Sequence, residues 1–161
     1  MAQALLILGG NRDNTPALID EAVRMLAARA GTVVRVSGIY RSAAWGFEAD
    51  DFYNMAVELE TTLEPTALLD ITQDIERALG RDRNAEKTEK AATGARYASR
   101  TMDIDILFYD DLVLESERLV IPHPRIAERM FVLEPLDEIA PDKRHPATGQ
   151  TVREMKLGIR N

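Results

Sequence analysis

The sequence predicts an α+β fold, and three observations carry that prediction. Strand-like and helix-like segments follow one another in the order β-α-β-β-α-β. The helical stretches place apolar residues three and four apart, whereas the strand stretches are β-branched or alternate in polarity. The first run, Ala4-Leu5-Leu6-Ile7-Leu8, is apolar at every position, the pattern of a strand covered on both faces. Together these match a ferredoxin-like core, an antiparallel sheet with helices packed on it.

Each element has its own signal. Gly9-Gly10-Asn11 ends the first strand. A helix is expected next, with Thr15 as N-cap, Pro16 at the first helical position and Gly31 as its stop. Its stripe is Leu18, Ile19, Ala22, Val23 and Leu26. Thr32 to Tyr40 reads as the second strand and Arg41 to Asp51 as a loop. Phe52 to Glu60 reads as the third strand, with Tyr53, Met55, Val57 and Leu59 facing the core. Phe52, Asn54, Ala56, Glu58 and Glu60 then share the other face.

Pro65 opens a second helix that runs to Leu79, with Gly80 after it and Leu68, Thr72, Ile75 and Leu79 as its stripe. Glu76 lies beside that stripe. Arg81 to Ser99 has almost no large apolar residue and is expected as a mobile loop. Arg100 to Tyr109 is the fourth strand, and Asp110-Asp111 turns the chain. Leu112 to Leu114 pairs locally, and Leu119-Val120-Ile121 ends at Pro122. Ala127 to Leu136 begins as a helical turn, and Thr151 to Leu157 reads as a terminal helix.

Composition narrows the class. The 161 residues suit one domain, read as residues 1–161. A chain of this size hides roughly 70% of the surface its unfolded form exposes, enough for its own core. With 45% hydrophobic and 29% charged residues it is an ordinary globular composition. The net charge of −7 argues against nucleic-acid or anionic-membrane partners. The absence of cysteine removes disulfide and thiolate chemistry. No run reaches transmembrane length and Met1-Ala2-Gln3 is no basic leader, so the expected location is cytoplasmic. A monomer is expected.

The fourth strand carries the chemistry. Asp103 and Asp105 are two apart, so they face one side, while Met102, Ile104, Ile106 and Phe108 face the core. Their Cα atoms are about 7 Å apart. Two ionised carboxylates at that separation repel by about 2 kcal/mol at an effective dielectric near 20. A cation between them removes the repulsion, and Mg²⁺ suits a pair of carboxylates that leaves room for phosphates and water. A solvated strand face has the same spacing.

Arginines surround this strand in sequence. Arg81, Arg83 and Arg100 precede the pair, and Arg118, Arg125 and Arg129 follow it. In an acidic protein such clustering suits a polyphosphate, which the guanidinium fork holds with paired hydrogen bonds. His123 stands between Pro122 and Pro124, a stiff presentation. Phe52, Asn54 and Phe131 have the chemistry to stack on a flat heterocycle and read its edge. No Gly-x-x-x-x-Gly-Lys motif is present, so ATP is not held by a P-loop.

The motifs in order resemble the 6-hydroxymethyl-7,8-dihydropterin pyrophosphokinase family. They are Gly9-Gly10-Asn11, Tyr40-Arg41-Ser42, Phe52-Tyr53-Asn54, and Glu76 with Gly80-Arg81-Asp82-Arg83. Arg100-Thr101-Met102-Asp103-Ile104-Asp105-Ile106 is the most specific. Arg118 to Pro124 and Arg129 to Leu133 complete the set. The resemblance implies transfer of pyrophosphate from ATP to 6-hydroxymethyl-7,8-dihydropterin with release of AMP. It implies two Mg²⁺ ions on Asp103 and Asp105, with Arg81, Arg83 and Arg100 on the phosphates. Gln73, Glu76, Ile106, Arg118, His123 and Arg129 would place ATP. Ser42, Ala43, Ala44, Trp45 and Asn54 would line the pterin, with Phe52 and Phe131 on its two faces. Two other classes stay open on residues alone. In a metal-dependent nucleotidyltransferase, however, the Asp pair follows the glycine turn closely. A ferredoxin-like binding domain leaves the Asp–Arg set without a role.

Overall fold

The structure, a computed structural model, describes residues 1–11, 14–42, 52–80 and 102–159. A continuous apolar run becomes the centre of the sheet: β1 (Ala2–Gly10) lies between β4 (Phe52–Thr61) and β5 (Asp103–Tyr109) and is antiparallel to both. β2 (Thr32–Val36) and β3 (Tyr40–Ser42) both pair with β4, and the main path runs β2-β4-β1-β5. A separate hairpin joins β6 (Leu114–Glu115) to β7 (Val120–Ile121).

Two layers flank the sheet. α1 (Thr15–Arg29) and α2 (Pro65–Ala78) cover one face. There Ile19, Ala22, Leu26, Leu68 and Ile75 pack on Leu6, Leu8, Val57, Leu59, Ile104 and Ile106. Each fully buried aliphatic side chain stabilises the fold by about 1.5–3 kcal/mol relative to exposure. The other face is covered by a 3₁₀ turn (Ile126–Glu128), α3 (Met130–Ile139) and α4 (Val152–Gly158). These elements bury Leu5, Ile7, Ala56, Leu107 and Phe108. Thr151 caps α4 in a reciprocal capping box with Glu154. Arg153 and Lys156 of α4 both reach Asp137 of α3, tying the two helices together.

The structure corrects several expectations. Thr15 is not the N-cap of α1. Asn14 holds that place and Thr15 is buried inside the first turn. The expected second strand is two strands. Ser37 interrupts it by donating its N–H to the Ala56 carbonyl and accepting the Ala56 N–H on Oγ, both at 2.9 Å, while its hydroxyl donates to the Gly38 carbonyl at 2.7 Å. Arg41 and Ser42 are therefore strand rather than loop. Ala56 is not on a solvent face, because α3 and α4 bury it. Phe108 faces away from Ile104 and Ile106. The β1–β5 register shifts between Leu5 and Leu6, and that bulge turns Leu107 and Phe108 to the α3 side. α3 continues past Pro135 to Ile139, three residues beyond the expected end.

Candidate active site

The row Tyr40–Asn54–Gly9–Asp103 crosses four strands in direct register. One row further along, Ala56–Ile7–Asp105 crosses three. Directly paired residues project to the same side. Asp103, Asp105 and Asn54 therefore share one face, the face that α3 covers further along the strands. Both aspartates are half-buried and Asn54 is buried.

Gly9 makes the row close. A Cβ built there would stand 2.3 Å from Asn54 Oδ1 and 2.8 Å from the Tyr53 carbonyl oxygen. The missing side chain lets Asn54 lie against β1, next to Asp103. Asn11, two residues on, is fully buried.

The backbone between the two aspartates is held from the opposite layer. Glu76 on α2 is 2% exposed, and its Oε2 accepts the Ile104 N–H at 2.8 Å. The sequence placed Glu76 beside the apolar stripe with a role in placing ATP. The structure seats its carboxylate on β5 itself. Ile106 points into the core under α1 and α2.

Cationic groups approach from the far side of β5. His123 follows β7 and donates its backbone N–H to the Leu107 carbonyl at 3.0 Å. Burial pushes its imidazole below the ordinary 6.5, with Arg129 and Arg125 acting in the same direction and Asp103 opposing them. His123 thus senses the charges of both Arg129 and Asp103. Arg129 also lies over the Phe131 ring, 5.7 Å from its centre. Phe131, in the first turn of α3, is 45% exposed, an unusual position for a large aromatic. Arg118 donates to Asp70 at 2.6 Å and to Gln73 Oε1 at 3.5 Å, which brings Arg118 and Gln73 together. Asp70 was not foreseen; its only signal is its position one turn before Gln73.

Arg81, Arg83, Arg100, Ala43, Ala44 and Trp45 lie outside the described residues, as does the expected mobile loop. Ser42 and Phe52 pair across β3 and β4 and are both half-buried. A cavity of about 610 Å³ sits at the other end of β5, between Glu64, Pro65, Tyr109 and Leu112, and contains none of these groups.

The donor set fits a hard divalent ion. Two half-buried carboxylates on one strand face offer oxygen ligands, and among the described residues no group of three or more His, Cys, Asp or Glu converges on one point. Such a pair leaves most of an octahedron to water and phosphate, as Mg²⁺ requires.

Comparison with known proteins adds the family. The model of the 7,8-dihydro-6-hydroxymethylpterin-pyrophosphokinase (HPPK) family matches residues 5–141. A 2-amino-4-hydroxy-6-hydroxymethyldihydropteridine pyrophosphokinase of Bacillus subtilis is 41% identical over 90% of this chain and 82% of its own. One from Methylorubrum extorquens is 43% identical over 96% of this chain and 91% of its own. Among solved structures, a Plasmodium falciparum HPPK-DHPS triple mutant superposes with a TM-score of 0.76 at 16% identity. It covers 97% of this chain, which in turn spans 43% of that longer protein. At that identity the likeness is one of fold.

Proposed function

Because the chain belongs to the 7,8-dihydro-6-hydroxymethylpterin-pyrophosphokinase family, we propose that Asp103 and Asp105 hold the divalent metal for its reaction. That reaction is the transfer of pyrophosphate from ATP to 6-hydroxymethyl-7,8-dihydropterin in folate biosynthesis. The pterin hydroxymethyl oxygen forms the new bond to the β-phosphorus as the bond to the AMP oxygen breaks.

The observation that carries the assignment is the shared face. Asp103 and Asp105 project beside Asn54, and the backbone between them is fixed by Glu76. Two Mg²⁺ ions, when bound, supply neutralisation of the triphosphate and a template for in-line displacement. The protein's part is positioning and electrostatics. Arg118, Gln73, His123 and Arg129 hold ATP on the β7 side, with the Ile106 backbone beside them. Arg81, Arg83 and Arg100 cancel phosphate charge. Ser42, Ala43, Ala44, Trp45 and Asn54 line the pterin between the Phe52 and Phe131 rings.

The remaining readings rest on the same frame. The strand order β2-β4-β1-β5, antiparallel throughout, supports a ferredoxin-like core spanning one domain, residues 1–161. No helix among the described residues is long and apolar enough to cross a membrane. The expectation stays that of a cytoplasmic monomer acting on small molecules. The test is turnover of ATP and hydroxymethyl-dihydropterin by Asp103→Ala and Asp105→Ala, with folding checked by circular dichroism. Folded variants that form no AMP support the assignment. Wild-type AMP formation in either one overturns it.

A further inference from the structure

The last turn of α3 is tied to the β2–β3 segment at three points. Glu138 accepts the Tyr40 hydroxyl on Oε1 at 2.7 Å. The same carboxylate accepts the Gly38 N–H at 3.2 Å on each oxygen. Next to it, the Arg35 guanidinium donates to the Ile139 carbonyl at 3.1 Å. Tyr40 opens β3 and pairs with Asn54, and Ser42 ends β3 opposite Phe52. The other end of α3 carries Phe131.

We propose that Tyr40 and Glu138 form a positioning clamp that sets the spacing between the two walls of the pterin site. One wall is β3–β4, with Ser42, Phe52 and Asn54. The other is α3, with Phe131. This rests on the pterin placement given above. Helix α3 is continuous from Met130 to Ile139, so tying its last turn to β3 bears on where its first turn stands. A flat ring held on two faces needs that separation to be constant, because stacking falls off steeply once a gap opens. Tyr40 and Glu138 touch no substrate and act only through β3 and α3.

The clamp is built to stay closed. The bond to Glu138, then burial, and then the charges of Glu138, Glu134 and Asp137 push the Tyr40 hydroxyl up to about 12. It remains a donor throughout the neutral range.

The experiment measures binding of the hydroxymethyl-dihydropterin and of ATP separately, with thermal stability, for Tyr40→Phe and Glu138→Gln in the full chain. Tyr40→Phe removes only the hydroxyl. Pterin binding is expected to weaken about five-fold, with ATP binding unchanged, as suits a charge-assisted bond that acts through geometry. The double variant should weaken pterin binding no more than the stronger single one. Phe131→Ala is the control for the pterin placement. If Phe131→Ala weakens pterin binding and both clamp variants bind it as the wild type does, the clamp is wrong and the placement stands. If Phe131→Ala also leaves it unchanged, both fall. Equal weakening toward ATP and pterin makes the pair a general structural contact and overturns the clamp.

Discussion

The carboxylate of Glu76 accepts the N–H of Ile104, the residue that separates Asp103 from Asp105, at 2.8 Å. It reaches from α2 to fix the strand from the opposite layer. Glu76→Ala leaves a buried N–H unpaired and costs about 1–3 kcal/mol in stability. Turnover should fall while the variant remains folded at room temperature. Urea unfolding and steady-state kinetics check both, and a wild-type rate in Glu76→Ala contradicts the positioning role.

Gly9 holds the row Asn54–Gly9–Asp103 together. Gly9→Ala drives a methyl into Asn54 Oδ1 and the Tyr53 carbonyl. Overpacking of this kind costs about 1–3 kcal/mol. Because Asn54 must move, pterin binding should weaken alongside the loss of stability. Unchanged pterin affinity in Gly9→Ala removes Asn54 from the site.

Arg118 is half exposed, and its pair with Asp70 is a surface ion pair. Arg118→Ala should therefore change stability by less than about 1 kcal/mol. Its effect should be a raised KM for ATP with pterin affinity intact. A rise in pterin KM of the same size places Arg118 elsewhere.

His123 makes stability pH-dependent. Burial holds its pKa below the ordinary 6.5, so the unfolded chain takes up the proton first as pH falls. Its contribution is present above that ordinary value and is lost as pH falls through the lower, folded one. Unfolding midpoints from about pH 8 to about pH 5, wild type against His123→Gln, test this in the nucleotide-free protein. The wild type should lose more stability on acidification. A pH-independent difference between the two contradicts it.

Much of this frame was legible because period and face agree over short distances. Ala4 to Leu8 announced a central strand, Pro65 and Gly80 bounded α2, and Asp103 with Asp105 announced a polar face inside a core strand. What stayed hidden depends on partners remote in sequence. The bulge that turns Phe108 round exists only in the pairing with β1. Ser37 breaks a β-branched run by bonding to Ala56, nineteen residues away. Ala56 reads as outward until α3 and α4 arrive to cover it. The Glu138–Tyr40 bond spans 98 residues and leaves no local pattern. For the site, residue types and order pointed to the Asp pair, but the seat of Glu76 on the Ile104 amide and the packing of Asn54 over Gly9 required the third dimension.

The central claim is that Asp103 and Asp105 jointly hold a divalent ion against the nucleotide. Mn²⁺ binding, followed by electron paramagnetic resonance with a non-transferable ATP analogue, tests it on the wild type, Asp103→Asn and Asp105→Asn. Each variant should bind Mn²⁺ at least about ten-fold more weakly than the wild type while remaining folded. Wild-type Mn²⁺ affinity in either variant contradicts the claim.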